Sequence, residues 1–586
     1  MPHSPRPAAL RAAIPLLFAL CVSATVMGSP PPASAGSGQT PAASVSASPV
    51  LEAMQAELAR SMSLLGGQAQ PPYFLSYEIT DIEEAEIGAS FGAIVSRSRD
   101  RQRLLRVDLR VGDYAMDNTH QVRDDIYGAL FDRLNLVRVP IEDDPDALRA
   151  VLWFETDRAF KKAQEQYTKV KAQVQVKVAE EDQSADFSRE KAETAIEAIP
   201  ALQTDLAGWD ERLRKVTALF AEPGNLYSGD ARVTARREVR WFVSSEGTRL
   251  QSAWIGYRLR LNATTKADDG MELPRFETWF SYTPEGLPAD DVVLASGRRI
   301  VSDLAALRVA PVVDPCAAPA ILTGRAAAVF FHEVFGHRVE GHRQRNEEEG
   351  QTFKKMVGQS VLPAGFTVIS DPTLRRAAGV DLGGAYDFDN EGVRARAVTI
   401  VDHGVLREFL MSRKPIAGFP ASNGHGRGQP GFVPVSRQSV LLVRADQPVS
   451  GAELKRMLIE RVKKAGKPYG LLFEDIQGGF TITGRLIPNA FNVMPVLVRR
   501  VFPDGREELV RGVDLIGTPL TAFSRVVAAD DHPCVFDGMC GAESGAVPVS
   551  CVSPAVLVDQ IEVQKKEKSQ DRPPLLPPPP AGAGQP

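Results

Sequence analysis

Short stretches that alternate polar and apolar residues run through most of the chain, and they constrain the fold more than any other feature. The stretch EVRWFVSSEGTRLQSAW (238–254) predicts a hairpin that turns at Glu246-Gly247, because two alternating runs flank a glycine. Beyond residue 310, runs such as RAVTIVDHGVLREFL (396–410) follow one another, separated by Gly, Asp and Asn. This pattern predicts an α+β fold with extensive antiparallel sheet and packed helices.

A long helix is predicted to begin at Asp144-Pro145, where a capping residue precedes a proline suited to the first turn. Apolar residues then recur at three- and four-residue steps, at Trp153, Phe160, Ala163, Tyr167, Val170 and Val174. This spacing predicts one apolar face along a helix. The face is better suited to packing on a core than to a coiled coil, because it spans so few heptads.

The N-terminus has the composition of a secretory signal. Arg6 and Arg11 precede an apolar run from Ile14 to Val26, and small residues follow it. We expect a signal peptide over residues 1–28, with cleavage after Gly28 or after Ala35, and therefore a periplasmic or secreted protein. The run is short for a membrane span, and no transmembrane segment is expected in the mature chain.

Composition indicates which segments are unstructured and which classes of protein are excluded. Residues 29–50 predict a flexible linker and residues 566–586 a disordered Pro-rich tail, because both are rich in Pro, Ala, Ser or Gly and hold little to bury. The formal net charge of -5 gives no basic footprint for nucleic acid.

After signal cleavage four cysteines remain, too few for a disulfide-built scaffold in so long a chain, although one pair could be oxidised. They are Cys316, Cys534, Cys540 and Cys551.

The segment HEVFGH (332–337) contains a pattern that suits a metal. His332-Glu333 supplies a metal ligand and a general base side by side, and His337 follows five residues after the first histidine. Five residues turn a regular helix by about 140° from the starting face, so a straight helix cannot bring both histidines to one ion. A π-bulge or a helix end at Gly336 would correct the geometry. From spacing alone, ordinary buried or surface histidines remain the alternative.

Several ordered motifs extend beyond this segment. HEVFGHRVEG resembles the defining segment of the TldD/PmbA family of metallopeptidases, in particular the TldD-like members that retain HExxxH. Three further stretches resemble the family, and together the matches cover residues from roughly 315 to 565. They are SNGHGRG followed by PVSRQSV (422–440), FPDGREELVRGVDLIGTPL (502–520) and CGAESGAVPVS (540–550). The N-terminal half resembles the family more loosely.

The resemblance implies a zinc-dependent peptidase in which His332, His337 and Cys540 hold Zn²⁺ and Glu333 acts as base. It divides the chain into an N-terminal α+β region (51–310) and a C-terminal metallopeptidase domain (311–565). It also implies peptides or unfolded segments as substrates, and a homodimer or a heterodimer with a related chain. The main alternative is a non-catalytic partner or assembly subunit, which retention of the motif disfavours; a β-rich envelope protein with structural histidines is another.

Several residues keep two interpretations. Glu340 is either a partner of a ligand histidine or an exposed carboxylate. His342 stands where relatives often have Asp, and it competes with the cysteines as a third ligand, although Cys540 has the family spacing. Three polar residues would either orient a peptide substrate or lie in a solvated Gly-rich loop. These three are Asn423, Arg427 and Arg437.

Overall fold

The computed structural model describes residues 46–121, 136–174, 182–204, 208–222, 224–345, 349–481, 483, 491–566, 568, 574 and 576. The predicted signal peptide, residues 29–45 of the predicted linker and most of the predicted tail lie outside the described residues. Within the part of the chain that the structure describes, no helix is both long enough and apolar enough to span a membrane.

The described helices range from a single turn to 30 residues. In chain order they are α1 (Pro49–Leu65), α2 (Pro145–Val174), α3 (Trp209–Ala218), α4 (Asp290–Val309), α5 (Arg325–Phe330), α6 (His342–Arg345), α7 (Gly451–Lys464) and α8 (Pro519–Ser524). A π-helical turn (Phe331–Phe335) and a 3₁₀ turn (Gly336–Val339) continue α5, and a separate 3₁₀ turn spans Pro284–Gly286.

The long helix α2 begins at Pro145, as the sequence predicts. Phe160, Ala163 and Val170 lie in its buried face, but Trp153 and Val174 are exposed. The buried face is continued toward the N-terminus by Leu148 and Leu152 instead. Trp153 follows Leu152 directly and is therefore rotated by about 100° away from the packed face, so its placement in the apolar stripe was wrong.

The strands form three main sheets and two short two-stranded pairs. Those of the first half are β1 (Pro72–Ser90), β2 (Ala93–Val111), β3 (Val137–Arg138), β4 (Thr194–Ile196), β5 (Ser228–Ser244), β6 (Arg249–Lys266) and β7 (Glu272–Ser281). Those of the second half are β8 (Cys316–Leu322), β9 (Phe366–Ser370), β10 (Arg376–Ala377), β11 (Val380–Asp381), β12 (Val398–Asp402), β13 (Val405–Leu406), β14 (Gly426–Arg427), β15 (Val435–Ser436), β16 (Val440–Ala445), β17 (Gly470–Thr481), β18 (Phe491–Val501), β19 (Glu507–Val510), β20 (Val513–Gly517), β21 (Val526–Ala529), β22 (Cys534–Ala542), β23 (Gly545–Ser553) and β24 (Val556–Lys565).

Sheet 1 contains the strands of the first half in the order β3-β2-β1-β5-β6-β4, with β7 also paired to β6. The predicted hairpin is β5–β6, whose register runs from Ser228 opposite Thr264 to Val243 opposite Arg249. Its turn contains Gly247 at a φ of 100°, a left-handed conformation that favours glycine. The hairpin prediction is therefore confirmed.

Sheet 2 has the order β13-β12-β9-β16-β23-β22, so β22 is an edge strand. Sheet 3 has the order β17-β8-β24-β20-β18-β19, with β21 on β24, and a further pairing of β17 with β18 closes five of its strands into a ring. Most of these pairings are antiparallel; β8 with β17, β16 with β23 and β4 with β6 are parallel. The predicted α+β class with extensive antiparallel sheet is confirmed.

Candidate metal centre

Helix α5 lies in the interior of the second half, in contact with β17 of sheet 3 and with β22 and β23 of sheet 2. Every residue from Ala326 to Phe331 is fully buried. A helix that is apolar on all sides must be surrounded by protein, and the sequence AAAVFF meets that requirement. The buried position brings the histidine segment directly after it to the interface between the two sheets.

The histidine segment is distorted where its spacing requires it. Phe331–Phe335 forms a π-helical turn, and Gly336–Val339 continues as a 3₁₀ turn. The π turn inserts the extra residue that a five-residue spacing needs for both histidines to face one point. This is the first of the two predicted devices. Gly336 does not supply the second, because it keeps helical angles of φ -56° and ψ -46°.

Gly336 is needed for space rather than for backbone freedom. A Cβ atom at this position would lie 1.7 Å from the side-chain oxygen of Gln438. The amide nitrogen of Gln438 donates a hydrogen bond of 3.2 Å to the backbone carbonyl of His332. The absence of a side chain at Gly336 therefore lets Gln438 hold the backbone of a candidate metal ligand.

We expect Gly336→Ala to destabilise the protein and to weaken metal binding. The added methyl group must displace the buried Gln438 side chain, and such overpacking typically costs about 1–3 kcal/mol. Denaturant unfolding and elemental analysis of the purified variant measure the two effects. Gly365→Ala is the matched control, since a Cβ there meets open space. Equal stability and metal content in the two variants would contradict this role for Gly336.

The three predicted metal ligands come together. One ligand atom from each of His332, His337 and Cys540 lies within 4.8 Å of the other two. The Cys540 sulfur is 3.3 Å from Nε2 of His337, and all three residues are buried. Cys540 reaches the histidines from β22, where it pairs with Val547 of β23. Residues more than 200 positions apart in the sequence thus converge on one point.

The thiol and the imidazoles of this group stabilise one another's charged forms. Burial alone would raise the pKa of the Cys540 thiol, but the neighbouring His337 and His332 hold it well below its usual value. Burial alone would lower the pKa of His337, but the charges on Cys540 and Glu340 raise it well above its usual value. Thiolate sulfur and imidazole nitrogen are ligands that zinc and similar divalent metals prefer, so the donor set fits a metal ion.

Glu340 fixes the orientation of His337. It is fully buried, and its carboxylate accepts hydrogen bonds from Nδ1 of His337 (3.3 Å) and from Nε of Arg343 (2.8 Å). Burial raises its pKa, but the charges on His337 and Arg343 outweigh that effect and lower the pKa to about 2. Because Nδ1 is held by the carboxylate, Nε2 remains for a metal. Of the two interpretations of Glu340, the structure supports the buried partner.

We expect Glu340→Gln to weaken metal affinity about 10- to 100-fold, the usual cost of removing a carboxylate that orients a ligand histidine. Competition with a chromogenic chelator measures the affinity. Glu460→Gln on α7 serves as control, because the Glu460 side chain is largely exposed and pairs only with Arg456 among the described residues. If both variants bind metal as tightly as the parent, Glu340 does not orient the ligand.

Glu333 lies beside the three ligands without belonging to them. Its carboxylate oxygen is 3.9 Å from Nε2 of His337, and its side chain lines a cavity of about 340 Å³ together with His332, His337 and Cys540. One wall of the cavity is the end of β17 and the other is β22 with the following turn. Gly479 of β17 packs closely on Glu333, because a Cβ there would lie 3.0 Å from Cγ of the glutamate.

The three predicted substrate-binding residues do not line this cavity among the residues that the structure describes. Asn423 is buried and binds the backbone of Met411 and Phe409. Arg427 is buried, donates to the carbonyl of Gln438 and lies over the ring of Tyr386. Their roles in substrate orientation therefore remain predictions without a contact in the cavity.

Arg437 has a different position from the one predicted for it. Its guanidinium donates to the backbone carbonyl of Cys540 (2.6 Å) and to the hydroxyl of Ser544 (2.9 Å), and it lies 3.6 Å from Glu340. Arg437 therefore contacts the backbone of a candidate metal ligand and supports the hairpin that carries Cys540. The sequence held no local signal of this contact, because it joins residues 103 positions apart.

The other candidates for a third ligand are placed elsewhere. Nε2 of His342 bonds to the carboxylate of Glu543, which also pairs with Arg343 (2.9 Å). Cys316, Cys534 and Cys551 are free thiols in the described part of the chain. None of them belongs to the cluster of His332, His337 and Cys540. The Arg343–Glu543 pair and the β17 wall are parts of the site that the sequence reasoning missed.

The fold and the site define an α+β protein with a buried His₂Cys centre and an adjacent carboxylate in a cavity. Residues 315–565 match the family model described as the PmbA/TldA metallopeptidase C-terminal domain. Residues 315–565 of this chain therefore form a C-terminal domain of the TldD/PmbA family.

Two curated relatives and one solved structure illustrate the similarity. A protein named metalloprotease from Methanothermobacter thermautotrophicus is 27% identical over 327 residues, which are 54% of this chain and 65% of that protein. A protein with the same name from Archaeoglobus fulgidus is 32% identical over 242 residues, 40% of this chain and 51% of that protein. The chain thus spans between half and two thirds of these curated relatives. The crystal structure of TldE from Thermococcus kodakarensis superposes with a TM-score of 0.58 at 13% identity, covering 87% of this chain and all of that one, and so shares the fold.

Proposed function

We propose that this protein is an exported, zinc-dependent peptidase that hydrolyses peptides or unfolded segments. The observation that carries the proposal is the convergence of His332, His337 and Cys540 beside Glu333 in one cavity. Two relatives named metalloprotease support the same reaction class.

The donor set favours zinc with a catalytic role. Structural zinc sites usually have four protein ligands, whereas catalytic sites have three and keep one position open. Among the described residues, the cluster of His332, His337 and Cys540 offers three ligands and borders a cavity. Imidazole and thiolate are both ligands of zinc, and they occur together in catalytic sites of the Cys₂His type.

The residues of the chain divide the chemistry between them. Zinc, when bound, supplies Lewis acidity, which lowers the pKa of a nearby water and polarises the carbonyl under attack. The Glu333 carboxylate accepts the proton of the attacking water and then passes it to the leaving amine. Glu340 holds His337 at Nδ1 throughout, and Arg437 holds the carbonyl of Cys540, so that the ligands keep their positions.

The shape of the cavity favours an extended substrate. Its volume of about 340 Å³ accommodates a short peptide segment rather than a folded domain. The walls are strand segments of β17 and β22, and β22 is an edge strand. A substrate must therefore present its backbone in an unfolded form to reach Glu333.

Cleavage of an unfolded fluorogenic protein substrate tests the proposal. We expect hydrolysis by the purified protein, its loss on treatment with a zinc chelator and its return when about one equivalent of Zn²⁺ is added. Hydrolysis that the chelator leaves unchanged would contradict metal dependence. A fully metal-loaded protein that cleaves no unfolded substrate would favour the non-catalytic alternative, a partner or assembly subunit.

We also propose that the working form is a dimer, either of two copies or with a related chain. The proposal rests on what the resemblance of residues 315–565 to the TldD/PmbA family implies. Native mass spectrometry of the purified protein, alone and from cell extract, distinguishes the two forms. A single-chain mass in both samples would contradict it.

Export gives a separate prediction. The apolar run from Ile14 to Val26 with flanking arginines predicts removal of residues 1–28, or of residues up to Ala35. We expect the mature N-terminus in the periplasmic or secreted fraction, where mass spectrometry identifies it. A cytoplasmic protein that retains Met1 would show that the segment is not a signal peptide.

A further inference from the structure

A buried ionic cluster connects sheet 1 to the frame of the metal centre. Asp475 of β17 accepts hydrogen bonds from Arg275 of β7 (2.5 Å) and from Arg325, the first residue of α5 (2.7 and 3.0 Å). Arg275 also pairs with Asp303 of α4, and Arg325 also pairs with Glu277 of β7. Asp475 is 5% exposed, and none of these residues lines the cavity among the described residues.

The cluster is a costly arrangement. Burial of charged groups is expensive even when they are paired, and apolar residues of similar volume often stabilise a core better. A positive side chain at the N-terminus of a helix also opposes the helix dipole, which is the position of Arg325 on α5. Stability alone is therefore a weak reason for these charges, and the significance of this cluster depends on which elements it joins.

Asp475 lies at an irregularity of β17. The pairing of β17 with β18 shifts register on both sides of Asp475, and the carboxylate accepts a hydrogen bond from the next backbone N–H, that of Ile476 (2.9 Å). Such bulges bend a strand and redirect the residues that follow. The residues that follow are Gln477 to Thr481, which form the wall of the cavity.

The cavity wall formed by the end of β17 contacts Glu333, the proposed general base. Gly479 lies so close to Glu333 that an added Cβ would be 3.0 Å from its Cγ, and the hydroxyl of Thr481 accepts a hydrogen bond from Arg338 of the 3₁₀ turn. Arg325, on the other side of Asp475, begins the helix whose continuation carries His332 about two turns later. One carboxylate is thus bonded to both the wall and the ligand helix.

We propose that Asp475 is a positioning residue for the peptidase site, and that Arg275 extends this role to sheet 1. The inference rests on the proposed function. Asp475 locks the β17 wall and α5 in one relative position, which sets the distance between Glu333 and a bound peptide. A misplacement of about 1 Å at a reacting centre can reduce the rate about 100-fold, so a loosened wall has a large effect on kcat.

Asp475→Asn tests the proposal, with Asp81→Asn as the matched control. Asp81 is also buried and also bridges two arginines, Arg101 and Arg103, but within sheet 1. We expect Asp475→Asn to retain its metal, to lower kcat about 10- to 100-fold and to raise amide hydrogen exchange over residues 476–481. Asp81→Asn should lose comparable stability and leave kcat and this exchange unchanged.

The outcomes separate the two ideas. Unchanged exchange over 476–481 in Asp475→Asn, or an equal rise in Asp81→Asn, would overturn the positioning role whatever the activity. A parent protein that is metal-loaded but inactive would overturn the proposed function, while the exchange measurement would still decide on the wall. If Asp475→Asn fails to fold, Arg275→Lys replaces it, since Lys keeps the charge and loses the paired geometry; it should raise the same exchange, and no rise there would overturn the proposal.

Discussion

Replacement of Glu333 by Gln is expected to lower the rate of peptide hydrolysis by about 10² to 10⁴, the usual loss when a general base is removed. Gln keeps the volume of the side chain but cannot accept the proton of the attacking water. Glu333 is not among the three grouped ligands, so metal content should stay near that of the parent. Steady-state cleavage and elemental analysis of the same preparation measure both quantities.

The matched control is Glu474→Gln, which removes a carboxylate from the same wall strand. Glu474 pairs with Arg499 (3.0 Å) and does not line the cavity among the described residues. Its variant should cleave peptides at the parent rate. Parent-like cleavage by Glu333→Gln would instead remove Glu333 from the reaction and leave another group to accept the proton.

Features fixed by local sequence were predicted most successfully. The β5–β6 hairpin needs a glycine with positive φ between two alternating runs, and both are visible in the sequence. The start of α2 at Pro145 depends on the cap and the proline alone. The inner face of α2 was predicted only in part. Leu148 and Leu152 meet the core and Trp153 does not, and that choice depends on what the helix packs against.

In the candidate site, too, local features were predicted from the sequence and long-range contacts were not. The five-residue spacing of His332 and His337 predicted a distortion, and the π turn is the form it takes. Contacts between distant segments could not be predicted from the sequence. Arg437 supports the backbone of Cys540, and Asp475 bonds to Arg275 and Arg325, across separations of 100 residues or more. Such contacts depend on which strands become neighbours, which no local pattern specifies.

Cys540→Ser is expected to reduce bound metal and peptide cleavage together. The substitution removes the thiolate that completes the group with His332 and His337. A hydroxyl does not ionise at neutral pH and is a poor substitute for a sulfur that its neighbours hold in the charged form. The loss of metal affinity should exceed the roughly 10- to 100-fold cost of losing an outer partner such as Glu340.

His342→Asn provides the comparison that decides the third ligand. His342 lies five residues beyond His337 and bonds to Glu543, so its loss should leave metal near one ion per chain. Its removal should loosen one anchor of the β22–β23 turn, but Arg343 and Arg437 still hold that turn through Glu543 and Ser544. Elemental analysis of both purified variants gives the answer. Full metal in Cys540→Ser together with loss in His342→Asn would reverse the assignment, because His342 and not Cys540 would then be the third ligand.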